Sequence, residues 1–159
     1  MTGKTHIMAG ITATTVVAAI SGEYEAEWLI AAGAVGGLIP DICHSGSKIG
    51  RRFPLVSKLV NTIFGHRTFT HSLLFLALMA LILSKAVSNP SITMGILIGM
   101  ATHLLLDAAT KQGIKLLYPS KITVRFPVTT KTGGKAENIL LLIMTGITLY
   151  FANDIVGLF

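Results

Sequence analysis

The chain has 159 residues, and only 13% of them are charged, against about 25% in ordinary soluble proteins. An apolar fraction of 52% excludes a disordered chain, and a single cysteine, Cys43, excludes a disulfide scaffold. Thirteen Lys and Arg against seven Asp and Glu give a formal charge of +6. In so apolar a chain, this excess points first to a membrane surface and only second to nucleic acid.

Apolar residues come in five blocks along the chain, at 7–20, 28–40, 68–84, 86–106 and 138–153. A straight spanning helix needs about 20 apolar residues to cross a core about 30 Å thick. The first two blocks are shorter, and taken singly they could be core helices of a soluble bundle. Five blocks with so few charges to cover an exterior favour an all-α, polytopic membrane bundle, forming a single integral membrane domain over 1–159.

The basic residues predict the orientation of this bundle. If the N-terminus is cytoplasmic and all five blocks cross, the inner segments are 1–6, 41–67 and 111–137. They hold twelve of the thirteen basic residues, and only Lys85 lies outside. This positive-inside pattern predicts a multi-pass protein with a cytoplasmic N-terminus. A cleaved signal peptide is the competing interpretation of the first block, because Lys4 precedes it.

Three local patterns add detail to the bundle. Segment 50–66 mixes basic and apolar residues at near-helical spacing, which predicts one amphipathic helix at the cytoplasmic interface. Extended stretches and a Gly-Gly turn within 111–137 are typical of a small hairpin. Small residues repeat at i,i+4 in two blocks, which favours close helix packing: Gly33 with Gly37, and Gly95 with Gly99.

Ionisable residues at the ends of apolar blocks are costly, so they predict a functional site. In the orientation above, five of them lie at the cytoplasmic ends of four helices: His6, Asp41, His71, His103 and Asp107. Imidazole nitrogen and carboxylate oxygen suit zinc and similar divalent ions. His103 and Asp107 are four residues apart and therefore share one helix face. We expect a divalent metal site that holds one or two ions, with zinc as the expected metal.

Simpler roles exist for each residue alone. A single histidine at a helix end is often a cap, Asp107 could pair with Lys111, and Asp41 could pair with Arg51 or Arg52. Five such residues at one membrane depth favour the metal. Cys43 is interpreted as a buried thiol, reduced on the cytoplasmic side. Two further histidines are additional candidates because they flank the predicted ligands: His44 and His66.

Four segments resemble the YdjM family of bacterial membrane-bound proteins, for which metal-dependent hydrolase activity is expected: GKTHIMAG, LIPDICHSGSKIGRR, GHRTFTHSLL and HLLLDAATKQGIKLLYP. The resemblance extends from Thr2 to about Glu137 and implies a bacterial inner-membrane location. It implies one metal site with four ligands: Asp41, His71, His103 and Asp107. It also implies a second ion that His6 helps to hold, with Asp107 bridging the two ions. Thr70, within the histidine motif, and Glu137, at an acidic position of the family, become additional site candidates. The family often has an acidic residue where this chain has Cys43.

That family is in turn distantly similar to zinc-dependent phospholipases C and P1-type nucleases. The similarity implies hydrolysis of a phosphoester, in a lipid headgroup or a related substrate, by metal-activated water. Asp41 could act as the general base, and Arg67 together with nearby basic residues could hold the anionic group. A non-catalytic metal-binding scaffold or a transporter component is the alternative. Nucleic-acid binding has little basis, since topology accounts for the basic loops.

Overall fold

The fold is helical throughout the part of the chain that the structure describes. This computed structural model describes residues 1–65 and 68–156. Seven α-helices follow one another there: α1 Gly3–Ser21, α2 Ala26–Gly36, α3 Lys48–Arg52, α4 Pro54–Phe64, α5 Leu73–Ala86, α6 Pro90–Ala108 and α7 Lys135–Val156. Two 3-10 turns, Ile39–Cys43 and Phe69–His71, precede α3 and α5. The prediction of an all-α fold is confirmed.

The segment between α6 and α7 is irregular. Within the described residues it forms isolated bridges instead of strands: Ile114 pairs with Val124 in antiparallel fashion, and Thr110 pairs with Thr130. The hairpin expected from its extended stretches is therefore reduced to single bridges. One bridge is closed by two backbone hydrogen bonds, of 2.8 and 3.1 Å, between Ile114 and Val124.

Three stretches of the described chain are long and apolar enough to cross a membrane: Ala26–Cys43, Pro90–Ala108 and Lys135–Ile155. The predicted count of five is therefore not confirmed. Helix α5 has 14 residues, and at about 1.5 Å per residue it is shorter than a bilayer core of about 30 Å. Helix α1 has 19 residues but carries many threonines, whose hydroxyls lower its hydropathy.

The helices α1, α2 and α6 pack with their backbones in contact. A Cβ atom added to Gly99 of α6 would lie 2.2 Å from the carbonyl oxygen of Gly33 in α2. A Cβ added to Gly10 of α1 would lie 2.1 Å from the same oxygen. Real Cβ atoms do not approach so closely, so glycine is required at these crossings. The small-residue pattern in α2 and α6 is confirmed as a packing surface.

Helix α4 is amphipathic, as its sequence predicts. Its apolar residues Leu55, Leu59 and Ile63 recur every four positions, and they are 83%, 60% and 61% exposed. The single helix expected over 50–66 is instead divided into α3 and α4, because Pro54 has no backbone N–H and begins a new helix. An exposed apolar face beside basic residues is typical of a helix lying at a membrane surface.

Helix α7 packs against α1 but leaves most of its apolar surface uncovered. Leu142, Leu149 and Tyr150 are each at least two-thirds exposed. In a soluble protein such a surface would be an aggregation hazard, whereas on a spanning helix it faces lipid. Helix α7 also begins next to the first residues of α1, so both helices place their N-terminal ends at the same end of the bundle.

Candidate metal centre

Five ionisable side chains meet at this end of the bundle. His6 lies in the first turns of α1, and Asp41 lies in the 3-10 turn that follows α2. His71 ends the 3-10 turn before α5, and His103 and Asp107 lie in the last turns of α6. We call these five residues the His/Asp cluster. Four of the side chains are at most 1% exposed, whereas that of Asp41 is 14% exposed.

The ligating atoms of the His/Asp cluster converge. Nε2 of His71 lies 3.5 Å from Oδ2 of Asp107 and 3.7 Å from Oδ1 of Asp41. Nε2 of His103 lies 3.7 and 3.8 Å from the same two oxygens. The two Nε2 atoms are 3.2 Å apart, and Nε2 of His6 is 3.2 Å from Oδ1 of Asp107. The atoms form two groups that share His103 and could each hold an ion.

Hydrogen bonds behind the rings orient the two central imidazoles. Nδ1 of His103 lies 2.8 Å from the carbonyl oxygen of Gly37. A carbonyl only accepts, so Nδ1 carries the proton and donates it, which leaves the Nε2 lone pair facing the cluster. Nδ1 of His71 lies 3.1 Å from Oγ1 of Thr70, an arrangement that allows the same tautomer. Histidine ligands of metals are typically oriented by such partners.

The spacing within the His/Asp cluster fits a cation better than it fits internal hydrogen bonds. Most nitrogen–oxygen distances are 3.5–3.8 Å, which is too long for a hydrogen bond. Metal–ligand bonds of about 2.0–2.2 Å at a tetrahedral angle separate two ligand atoms by roughly 3.4 Å. Nδ1 of buried His6 has no hydrogen-bond partner among the described residues. The residues present therefore fit a divalent ion.

The charge around His71 depends on the two carboxylates. Burial alone would lower the pKa of His71, but the contacts of its ring with Asp107 and Asp41 raise that pKa, to about 10. In the metal-free protein the imidazole is therefore protonated at neutral pH. The rings of His6 and His103 stack with centroids 3.7 Å apart. The amine of Met1 also contacts Oδ1 of Asp107, which adds a second cation beside that carboxylate.

Glu137 lies apart from the His/Asp cluster, in a separate site at the start of α7. Its Oε1 accepts hydrogen bonds from the backbone N–H and the hydroxyl of Thr2, each at 2.7 Å, and from the hydroxyl of Thr5. Its Oε2 accepts from the N–H of Gly133 at 2.6 Å. Neither ligand group found among the described residues includes Glu137. Its position instead ties α7 to the residues immediately before His6.

The remaining candidates occupy different places. His44 is exposed and belongs to neither ligand group. Thr70 is buried and lies behind the ring of His71. Cys43 is fully buried, with its sulfur 4.0 Å from Nδ1 of that ring, on the side away from the ligating nitrogen. Two candidates lie outside the described residues: His66 and Arg67.

Sequence reasoning missed a cavity next to the cluster. It has a volume of about 500 Å³, and three basic residues and Asp41 line it together. The three basic residues are Lys4, Lys48 and Arg51. They were visible in the sequence only as part of the positive-inside pattern, which predicts topology and gives no information on their proximity. The carbonyl of Gly37 was likewise hidden, because every residue has one.

Fold and site together define a multi-helix membrane protein with a buried His/Asp cluster at one end of its bundle. The model of the family YdjM inner membrane protein matches residues 1–157. The chain is 53% identical to the uncharacterized protein YvsG of Bacillus subtilis over 151 residues, which cover 95% of this chain and 94% of that protein. It therefore belongs to the YdjM family.

A more distant relative has a longer chain. The inner membrane protein YdjM of Escherichia coli is 36% identical over 104 residues, which cover 61% of this chain and 52% of that protein. A Shigella flexneri protein of the same name shows the same identity and coverage. No solved structure matches this one. The names of the family and of the YdjM proteins support a membrane location and give no activity.

Proposed function

We propose that this protein is a membrane-bound, metal-dependent hydrolase that cleaves a phosphoester, in a lipid headgroup or a related substrate. The observation that carries the proposal is the convergence of three histidines and two aspartates from four parts of the chain. His71, His103 and Asp107 would hold one divalent ion, with zinc favoured by this donor set. His6 and Asp41, which form the second group with His103, would hold another ion or complete the first site.

The side chains have distinct roles in this proposal. A bound ion would lower the pKa of a water molecule and polarise a phosphoryl oxygen. The carbonyl of Gly37 and the hydroxyl of Thr70, which lie beside the Nδ1 atoms of His103 and His71, would keep the two Nε2 atoms directed at a bound ion. Asp41 is the only cluster member with appreciable exposure among these five, so it is placed to accept a proton from water entering through the cavity.

A second candidate function is a metal-binding scaffold without turnover. The burial of four of the five side chains favours it, because structural zinc sites are closed, whereas catalytic sites keep one position open. A transporter component is less well supported. Transport sites lie near the middle of the membrane, whereas these residues lie at helix ends.

We propose a cytoplasmic N-terminus, as the positive-inside pattern predicts, which would place the cluster at the cytoplasmic surface. The two ends of the bundle differ in a way that supports this orientation. The cluster end carries Lys4, Lys48 and Arg51. At the other end, Glu25 joins the start of α2 to the start of α6 by accepting a hydrogen bond from Asn89 at 3.0 Å.

One preparation tests the function. The protein is purified in detergent, its metal content is measured, and phosphodiester and phospholipid hydrolysis are assayed beside His103→Ala. Glu23→Gln is the control, since Glu23 is exposed and lies outside both ligand groups. We expect bound metal and hydrolysis in the wild type and in the control, and neither in His103→Ala. Metal without turnover would favour the scaffold, and metal-free wild-type protein would contradict both functions.

A further inference from the structure

The cavity beside Asp41 has the chemistry of an anion-binding site. Three basic side chains face a single carboxylate in its lining, so the cavity carries an excess of positive charge. We call it the basic groove and define it by Lys4, Lys48, Arg51 and Asp41. Lys and Arg are the usual protein ligands of phosphate groups, and a concave site with one sign of charge concentrates anions.

The basic groove is part of the packed structure and is bounded by separate elements. Lys4 comes from α1, whereas Lys48 and Arg51 come from α3. Helix α3 is held to the preceding 3-10 turn, because the hydroxyl of Ser47 donates to the carbonyl oxygen of Asp41 at 2.9 Å. The aliphatic part of Lys48 runs beside Gly3, where an added Cβ would lie 3.9 Å from its Cδ. The cations are therefore positioned around one space.

The rest of the lining distinguishes a lipid from a soluble anion. Leu38 and Leu141 also line the groove. The first lies in the candidate span Ala26–Cys43 and the second in the candidate span Lys135–Ile155. A groove that is polar where the basic residues lie and apolar where these leucines lie matches a molecule with an anionic headgroup and acyl chains. A free phosphate would leave the apolar part of the lining unused.

We propose that the basic groove binds the phosphate of an anionic phospholipid, with Lys4, Lys48 and Arg51 as the anion-binding residues. The phosphate of the lipid comes to rest beside Asp41, and its acyl chains lie against Leu38 and Leu141. This assignment rests on the proposed function, because the bound phospholipid would be the substrate of the hydrolase. It adds three residues of the described structure to Arg67, which was expected from the sequence to hold the anionic group and lies outside the described residues.

The test measures lipid binding without relying on turnover. Detergent-purified, metal-loaded protein is titrated with dioleoyl phosphatidylglycerol or dioleoyl phosphatidylcholine, and retained lipid is counted by native mass spectrometry. The triple variant Lys4→Gln/Lys48→Gln/Arg51→Gln removes the cations. The matched control Lys111→Gln/Lys121→Gln/Lys131→Gln removes the same charge from exposed positions between α6 and α7. Inorganic phosphate is added as a competitor in a separate arm.

We expect the wild type and the control to prefer phosphatidylglycerol over phosphatidylcholine by about tenfold, because three partly solvated ion pairs would produce an effect of this size. We expect the groove variant to lose this preference. Equal preference in the groove variant and the wild type would overturn the assignment. Displacement of the lipid by equimolar phosphate would overturn the lipid as the source of the anion. Metal content measured on the same samples separates the two proposals. Selective lipid binding by protein that has taken up no metal would refute only the hydrolase. Bound metal without lipid selectivity would refute only the lipid assignment of the basic groove.

Discussion

Two buried carboxylate centres at the same end of the bundle are built in opposite ways. Glu137 receives four hydrogen bonds from backbone N–H groups and hydroxyls, at 2.5–2.7 Å. In the His/Asp cluster, Asp107 faces the Nε2 atoms of His71 and His103 at 3.5 and 3.7 Å. The first carboxylate is fully matched by neutral donors of the chain. The second contacts the amine of Met1 and lies among imidazole nitrogens, of which those of His71 and His103 stay beyond hydrogen-bond distance.

This difference separates a structural carboxylate from a candidate ligand better than residue type or burial does. Glu137 and Asp107 are both acidic and at most 2% exposed. A buried charge is tolerated when hydrogen bonds or a counter-ion replace water. Glu137 has hydrogen bonds from neutral donors, whereas Asp107 lies beside an ammonium group and histidine nitrogens, the surroundings expected of a carboxylate that shares a cation site. The predictions below test whether the two centres depend on metal as differently as their geometries indicate.

The largest effect is expected from Asp107→Asn. The amide keeps the shape of the side chain but removes the charge that lies near three histidines. We expect metal affinity to fall by at least about a hundredfold, beyond the 10–100-fold that outer partners typically contribute. Competition with a chromophoric chelator measures the affinity. Asp154→Asn, at an exposed position in α7, is the control, and unchanged metal binding in Asp107→Asn would remove Asp107 from the site.

The pH dependence of metal affinity should be nearly as large. The carboxylates hold the pKa of His71 at about 10 in the metal-free protein. Because this pKa is raised, the ring is protonated below pH 10, and an incoming ion must displace that proton. We expect the dissociation constant to fall about tenfold per pH unit between pH 6 and pH 8. The same chelator titration at three pH values measures the slope, and a flat profile would show that His71 does not ligate.

Glu137→Gln should affect stability instead of metal binding. Glutamine turns one acceptor into an N–H₂ donor, which then faces another donor, such as the N–H of Gly133. Leaving one buried group unsatisfied costs about 1–3 kcal/mol of unfolding free energy. Thermal unfolding in detergent, with Glu23→Gln as the exposed control, measures this cost. We expect metal affinity within about twofold of the wild type, and a larger loss would place Glu137 in the metal centre.

The sequence alone identified the five residues that meet, and it offered Glu137 as an additional site candidate without indicating its structural role. Alternating apolar blocks and the i,i+4 spacing of His103 and Asp107 were sufficient to predict a shared depth. Hydrogen bonds to the N–H groups of Thr2 and Gly133 leave no pattern in the side chains, so the role of Glu137 was hidden. The predicted count of five spans is not confirmed, since block length does not show how short α5 is as a helix.

The smallest effect concerns the orientation of one ligand. The hydroxyl of Thr70 lies 3.1 Å from Nδ1 of His71, and valine has nearly the same shape without an acceptor. If this contact selects the tautomer that exposes Nε2, Thr70→Val should weaken metal binding by about tenfold, whereas Thr70→Ser should restore it. A role in packing alone predicts the opposite order, because serine leaves a space in a buried site and valine fills it. Equal affinities for Thr70→Val and the wild type would therefore assign the orientation of His71 to its neighbours Asp41 and Asp107.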